Sequence, residues 1–354
     1  MLHNSQVYHF FMSASTPNGF VSHFPSIDCA QRYLLKGPSG SGKSTLIKRA
    51  VSTLSSDGAC ELIHCSADKD SLDAAILDKT GVCFIDATPP HTLEPALPLV
   101  KDKVISLYDF FDSEIISAKK DEIIKAADEE ELLLQKYTAF IKAAGMLLSS
   151  NERLYSRFIN REKLSNFLSR LCSREIKKRG GKGKLKLRYL STISENGVFM
   201  FTDTAKKMCS RLYAIDDISG AVSGIILEGL CKFALSAGYT VYCCLCPLSD
   251  SGRIDHVLIP ELSLGFMTSN KFHPIDDKDI KKIHTSRFYD REKLYDYSTR
   301  TSFQLKAARE MLKEAAAFNA KKIKSHQRLE SYYTAACDFD GRDKYFDSFT
   351  EKLK

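Results

Sequence analysis

No stretch of this sequence is both long and apolar enough to cross a bilayer. Phe233 to Ser249 is the longest interior run without a charged residue, and Gly238, Pro247 and several serines interrupt it. The opening residues also lack a basic segment followed by a long apolar core, so no secretory leader and no membrane partner are expected, and the compartment expected is cytoplasmic. The 11 cysteines contain no Cys-x-x-Cys pair matched by a second pair, which argues against a structural zinc site of that kind. Cys65, Cys83, Cys243 and Cys244 sit within or at the ends of apolar runs and are expected as buried, reduced thiols. Net positive charge is lacking outside one place: the run Arg174 to Arg188 holds eight basic residues against Glu175 and so accounts for the whole net charge of +7. With Gly180, Gly181 and Gly183 inside it and no aromatic residue interleaved, the run reads as a solvated linker in preference to a contact with nucleic-acid phosphates.

What is present is chemically specific. Gly37-Pro38-Ser39-Gly40-Ser41-Gly42-Lys43-Ser44 is a complete phosphate-binding loop, with Thr45 following. Its glycines let successive backbone N–H groups turn inward on a phosphate, Lys43 reaches the β and γ oxygens, and Ser44 offers a hydroxyl to Mg²⁺. The context fits: Arg32 to Lys36 is a short apolar strand, and Leu46, Ile47, Ala50, Val51 and Leu54 form one helical stripe after the loop. Glu61 to Cys65 and Val82 to Asp86 read as further buried strands, with a helix-like segment around Leu72 to Leu77 between them, which predicts a parallel α/β sheet. Asp86 ends its strand where such a fold holds a second Mg²⁺-positioning group, so Lys43 and Asp86 are the candidate catalytic residues and Ser44 and Asp86 the candidate metal ligands. ATP and Mg²⁺ are the expected cofactors, and the nucleoside triphosphate the expected partner.

The chain also repeats itself. Asn18-Gly19 recurs as Asn196-Gly197, Arg32-Tyr33-Leu34 as Arg211-Leu212-Tyr213, and His91 as His273, at offsets of 178 to 182 residues. Arg161-Glu162-Lys163-Leu164 finds a counterpart in Arg342-Asp343-Lys344-Tyr345. The repeat predicts an α/β protein of two tandem P-loop NTPase-like, three-layer domains with parallel-rich sheets, each with an N-terminal β-hairpin and C-terminal helices. Residues 1–176 form the first domain, 177–187 a basic Gly/Lys linker and 188–354 the second. At an offset of 179 the second copy sets Asp216 against Gly37, Val222 against Lys43 and Ser223 against Ser44, and Thr268 stands for Asp86. Two carboxylates, Asp216 and Asp217, are then expected to repel a phosphate, making the second domain non-catalytic. A shifted loop, Ser219 to Gly224, lining a cleft for an uncharged ligand is the competing reading.

With the loop, the repeat and Asp86-Ala87-Thr88-Pro89-Pro90-His91 together, the chain resembles a family of tandem P-loop ATPases found in Clostridia, Bacilli and relatives. His64-Cys65-Ser66 and Ile259-Pro260-Glu261-Leu262 match segments of that family. The resemblance implies ATP hydrolysis, although the family generally keeps a second P-loop and this chain does not. Resemblance to ABC transporters is weaker: there is no signature segment, and Ala87 follows Asp86 where a glutamate commonly polarises the attacking water. A small-molecule kinase and a nucleotide-responsive binding module are the alternatives. Arg153, Arg157 and Arg161, four residues apart, are read either as a solvated helical face or as a phosphate lid, and His64 and His91 either as structural or as catalytic histidines.

Overall fold

In the computed structural model, which describes residues 6–54 and 58–353, the two halves of the chain run through the same order of strands, the second with one added helix, α5. Residues 1–5, on which the leader reading partly rests, lie outside the described residues. The first half comprises β1 (Val7–Phe11), β2 (Ser13–Thr16), β3 (Gly19–Ser22), β4 (Gln31–Lys36), α1 (Lys43–Leu54), β5 (Cys60–His64), β6 (Leu72–Leu77), β7 (Val82–Asp86) and β8 (Asp102–Ser106). It continues through α2 (Ser113–Ala118), α3 (Lys120–Ser156) and α4 (Arg161–Glu175). The second comprises β9 (Lys184–Arg188), β10 (Ser191–Ser194), β11 (Gly197–Met200), α5 (Thr202–Met208), β12 (Arg211–Asp216), α6 (Ala221–Ser236), β13 (Thr240–Leu245), β14 (Ile254–Ile259), β15 (Leu264–Ser269) and β16 (Lys281–His284). It continues through α7 (Arg291–Tyr295), α8 (Ser298–Thr334) and α9 (Phe339–Glu351).

The duplication is written into the sheets. The first has the order β1-β5-β6-β7-β4-β8 and the second β9-β13-β14-β15-β12-β16, strand for strand the same. In each, one strand, β6 or β14, runs antiparallel to both neighbours and every other pairing is parallel. Even an irregularity recurs, at Ile63/His64 in one sheet and Cys244/Leu245 in the other. Tyr33 stacks on Phe84 at 5.1 Å between ring centroids, and Tyr213 on Phe266 at 4.9 Å. The Asn-Gly segments form the expected hairpins, β2–β3 and β10–β11.

Leu72–Leu77, expected to be helix-like, is strand β6, and the sheets are therefore mixed. All six of its residues are buried, so the strand shows no alternation, and its two alanines look helical until the neighbouring strands impose pairing. Lys184–Arg188, of which residues 184–187 were counted within the linker, is edge strand β9, parallel to β13. Lys186 donates to the Tyr242 hydroxyl at 2.8 Å and Arg188 is buried, so the basic run is partly built into the fold. Cys231 and Cys243 are joined as a disulfide where reduced thiols were expected, and the other nine cysteines form no disulfide among the described residues. No helix among the described residues is long and apolar enough to cross a membrane.

The compact units do not follow the linear division at 176 and 188. One consists of Met1–Ser13, Ser22–Tyr137 and Ala317–Lys354, the other of Ala14–Val21 and Thr138–Ala316. The closing helices are exchanged between the halves. In the first unit Phe346 of α9 is fully buried among Tyr33, Leu46, Ile47 and Phe84. In the second, Leu164 and Leu171 of α4 are buried with Val222, Ile226 and Leu230 of α6. Burial of each half's apolar stripe is thus completed by a helix nearly 180 residues away from the one expected. The caps also set the register of these helices: Asn160 accepts from the Lys163 amide and Asp338 from the Gly341 amide. Arg342 accordingly corresponds to Leu164 and not, as the four-residue match suggested, to Arg161.

Candidate nucleotide site

In the first unit β4 is buried through Tyr33, Leu34 and Leu35, and α1 buries Leu46, Ile47, Ala50, Val51 and Leu54, as the stripe predicts. Between them the loop Gly37 to Gly42 turns at Gly40 and Gly42, whose φ angles of +74° and +73° belong to the left-handed region. Space is equally restrictive: a Cβ on Gly42 would lie 2.2 Å from Arg342 Nη1, and one on Gly40 2.6 Å from the Glu330 carbonyl oxygen. Pro38, Ser39 and Ser41 form the rest of the turn, while Thr45 lies exposed on the first turn of α1.

Lys43, Ser44 and Asp86 converge on the edge where β4 and β7 end. Lys43 Nζ donates to the carbonyls of Gly37 and Pro38, both at 2.9 Å, and stands 3.7 Å from Asp86 Oδ2. Asp86 Oδ1 accepts from the Thr88 amide at 3.0 Å and from its hydroxyl. Burial raises the Asp86 carboxyl above the usual carboxylate range, opposed by the charge of Lys43 and the bonds from Thr88. Ser44 Oγ accepts from the Leu72 amide at 2.9 Å, which ties α1 to the start of β6.

Two residues that the sequence reading did not place at the loop contact it, and both come from beyond residue 316. Arg342, 4% exposed, donates from Nη1 to the Ser41 carbonyl at 2.8 Å. Glu330 has its carboxyl held low, first by His326 and also by the Gly40 amide and the charge of Lys43. Arg49 on α1 reaches Asp343 at 2.6 Å and Asp347 at 2.8 Å, fastening α9 over the helix that follows the loop. The N-caps Asn160 and Asp338 were the available signal, since aligning them removes the false match of Arg161 to Arg342. Arg153, Arg157 and Arg161, read as a possible helical stripe, all lie in the second unit. Arg153 pairs with Asp250 at 3.3 Å, α3 ends at Ser156, and Arg161 opens α4, so the three share no helical face. His64 lies 2.8 Å from His9, and burial lowers it to about 4, which keeps it neutral.

The second unit's loop is two residues shorter, Asp217 to Gly220 between β12 and α6. A single offset therefore fails: Lys36 matches Asp216 by strand register, whereas Gly42 matches Gly220, so that Ala221 stands for Lys43 and Val222 for Ser44. The two aspartates do not face a phosphate together. Asp216 is exposed beside His284 at 3.3 Å, while Asp217 is buried. Asp217 Oδ2 accepts from the amides of Val222 at 2.9 Å and Ser223 at 2.7 Å, and Oδ1 accepts from the amide and hydroxyl of Ser219. A side-chain carboxylate thus takes the helix-end N–H groups that would otherwise be open to an anion. The adjoining cavity, lined by Ser219, Gly220, Arg253, Asp255 and His273, holds about 40 Å³. That is roughly a tenth of what an ordinary ligand site needs. Set against family models, curated proteins and solved structures, the chain matches none.

Proposed function

We propose that the first unit is a P-loop NTPase-like domain that binds ATP with Mg²⁺ and hydrolyses it, and that the second is a non-catalytic copy of the same fold, in a protein of the cytoplasm. The observation that carries this reading is the meeting of Lys43, Ser44 and Asp86 at one sheet edge around a glycine-turned loop. Lys43 rests on loop carbonyls, contacts that incoming phosphate oxygens can replace with stronger, charge-assisted ones. Ser44 and Asp86 present hard oxygen donors suited to Mg²⁺, which when bound would neutralise charge on the β and γ phosphates. Arg342 donates to the Ser41 carbonyl and so restrains the loop.

Ala87, 1% exposed, follows Asp86 in place of a carboxylate, so turnover without a partner is expected to be slow. That same gap favours the kinase reading second. Phosphate release from ATP with no added acceptor distinguishes the two, and nucleotide binding with neither activity would leave a binding module.

Asp86→Asn is expected to spare nucleotide binding without Mg²⁺ and to reduce the gain that Mg²⁺ brings, because an amide is the poorer ligand for a hard cation. Titrations of both proteins with and without Mg²⁺ check this, and equal gains would move the metal role to another carboxylate. Calorimetry with a non-hydrolysable ATP analogue is expected to give one site per chain, since Asp217 occupies the second helix end. Two sites of similar affinity would end the non-catalytic reading of the second unit.

A further inference from the structure

In the first unit Cys65, Asp73 and His91 each present a ligating atom, and these atoms lie within 4.8 Å of one another. The fold brings them together from three adjacent strands: Cys65 follows β5, Asp73 is the second residue of β6, and His91 lies beyond β7. Because β6 runs antiparallel, its beginning meets the ends of the other two. His91 Nε2 stands 3.0 Å from Asp73 Oδ2, and both side chains are buried. The neighbouring residue Leu72 is the one whose amide reaches Ser44 Oγ.

The second unit holds the same three residue types at the matching positions, Cys246, Asp255 and His273, with His273 3.3 Å from Asp255. There a cation is already in place. Arg253 Nη2 lies 3.3 Å from Cys246 Sγ and 3.2 Å from Asp255 Oδ1. Its position is fixed by a backbone bond from the Cys246 amide to the Arg253 carbonyl, matched in the first unit by a bond from the Cys65 amide to the Ser71 carbonyl. Serine therefore stands where the other copy has its guanidinium. The parallel with the loops is close: Asp217 supplies the anion of one site and Arg253 the cation of the other, each from within the second copy.

We propose that Cys65, Asp73 and His91 of the first unit bind a divalent transition-metal ion of the zinc class, distinct from the Mg²⁺ of the nucleotide site. A thiolate and an imidazole select zinc-like ions over Mg²⁺, and three protein ligands leave one coordination position for water or a ligand oxygen. Tetrahedral bonds of about 2.0–2.3 Å set ligand atoms roughly 3.3–3.6 Å apart, so the wider separations close and the 3.0 Å between His91 and Asp73 opens slightly, movements within reach of side-chain rotation.

The test uses the reduced, metal-free full chain with Mg²⁺ in excess, titrated with Zn²⁺ against a chromophoric chelator. One tight equivalent is expected, and Cys65→Ser and His91→Ala are each expected to weaken it at least tenfold. Co²⁺ should give a thiolate-to-metal charge-transfer band in the parent chain that Cys65→Ser lacks. Ser71→Arg keeps all three ligands but installs the second copy's cation, and is expected to abolish uptake while far-UV circular dichroism stays that of the parent. Absence of a tight equivalent in the parent chain would overturn the proposal. Parent-like affinity in both ligand variants would do so too, since the metal would then be held by other groups.

Discussion

Lys43→Ala is expected to lower the affinity for a triphosphate about tenfold or more, the loss of one charge-assisted contact of roughly 1.5–3 kcal/mol. Among the described residues, the two arginines nearest the loop in these contacts are already engaged. Arg342 is committed to the Ser41 carbonyl and Asp343, and Arg49 to Asp343 and Asp347. The fold should be little affected, because the hydrogen bonds of Lys43 go to the loop's own groups. Titration with a non-hydrolysable analogue, accompanied by a thermal melt, checks both halves of the statement. Parent-like affinity would remove the loop from consideration as the nucleotide site.

Phe346→Ala is expected to destabilise the first unit by about 3–5 kcal/mol, the usual range for emptying a fully buried aromatic site. Phe346 is fully buried, with its ring centroid 6.0 Å from that of Phe84 and 6.2 Å from that of Phe349. Loosening α9 also frees Arg342 and the partners of Arg49, so nucleotide affinity should fall along with stability. Denaturant unfolding followed by a probe in the first unit measures the loss. A change below 1 kcal/mol would mean that α9 does not close this core.

The loop and its flanking elements were legible because their pattern is local. Eight consecutive residues carry the loop, a short apolar strand precedes it, and Asp86 ends the adjacent strand; all three features survive folding unchanged. The repeat was legible too, since the Asn-Gly hairpins and an Arg-led apolar strand recur in sequence, although the match of Arg32 to Arg211 was one residue off the register that pairs Tyr33 with Tyr213. Leu72–Leu77 was not, because a strand buried on both faces carries no period of two. Nor were Arg342 and Glu330, whose partners lie some 300 residues earlier and leave no local pattern. The false match of Arg161 to Arg342 shows the hazard of aligning helices by composition: only the capping geometry at Asn160 and Asp338 fixes the register. The Asp217 cap was half visible. Its charge could be read, but the two-residue shortening that turns the carboxylate inward could not.

The exchange of closing helices has a consequence for how the protein is made. The loop at residue 37 emerges from the ribosome early, yet the helix that seals its core, α9, is synthesised about 300 residues later. At roughly 5–20 residues per second that is a wait of about 15–60 s, during which the apolar face of α1 has no covering helix of its own. The second sheet has no such delay, because α4 is translated before any of its strands. Domain-by-domain folding in order of synthesis is therefore reversed here: the half that is translated second is the first able to close its core.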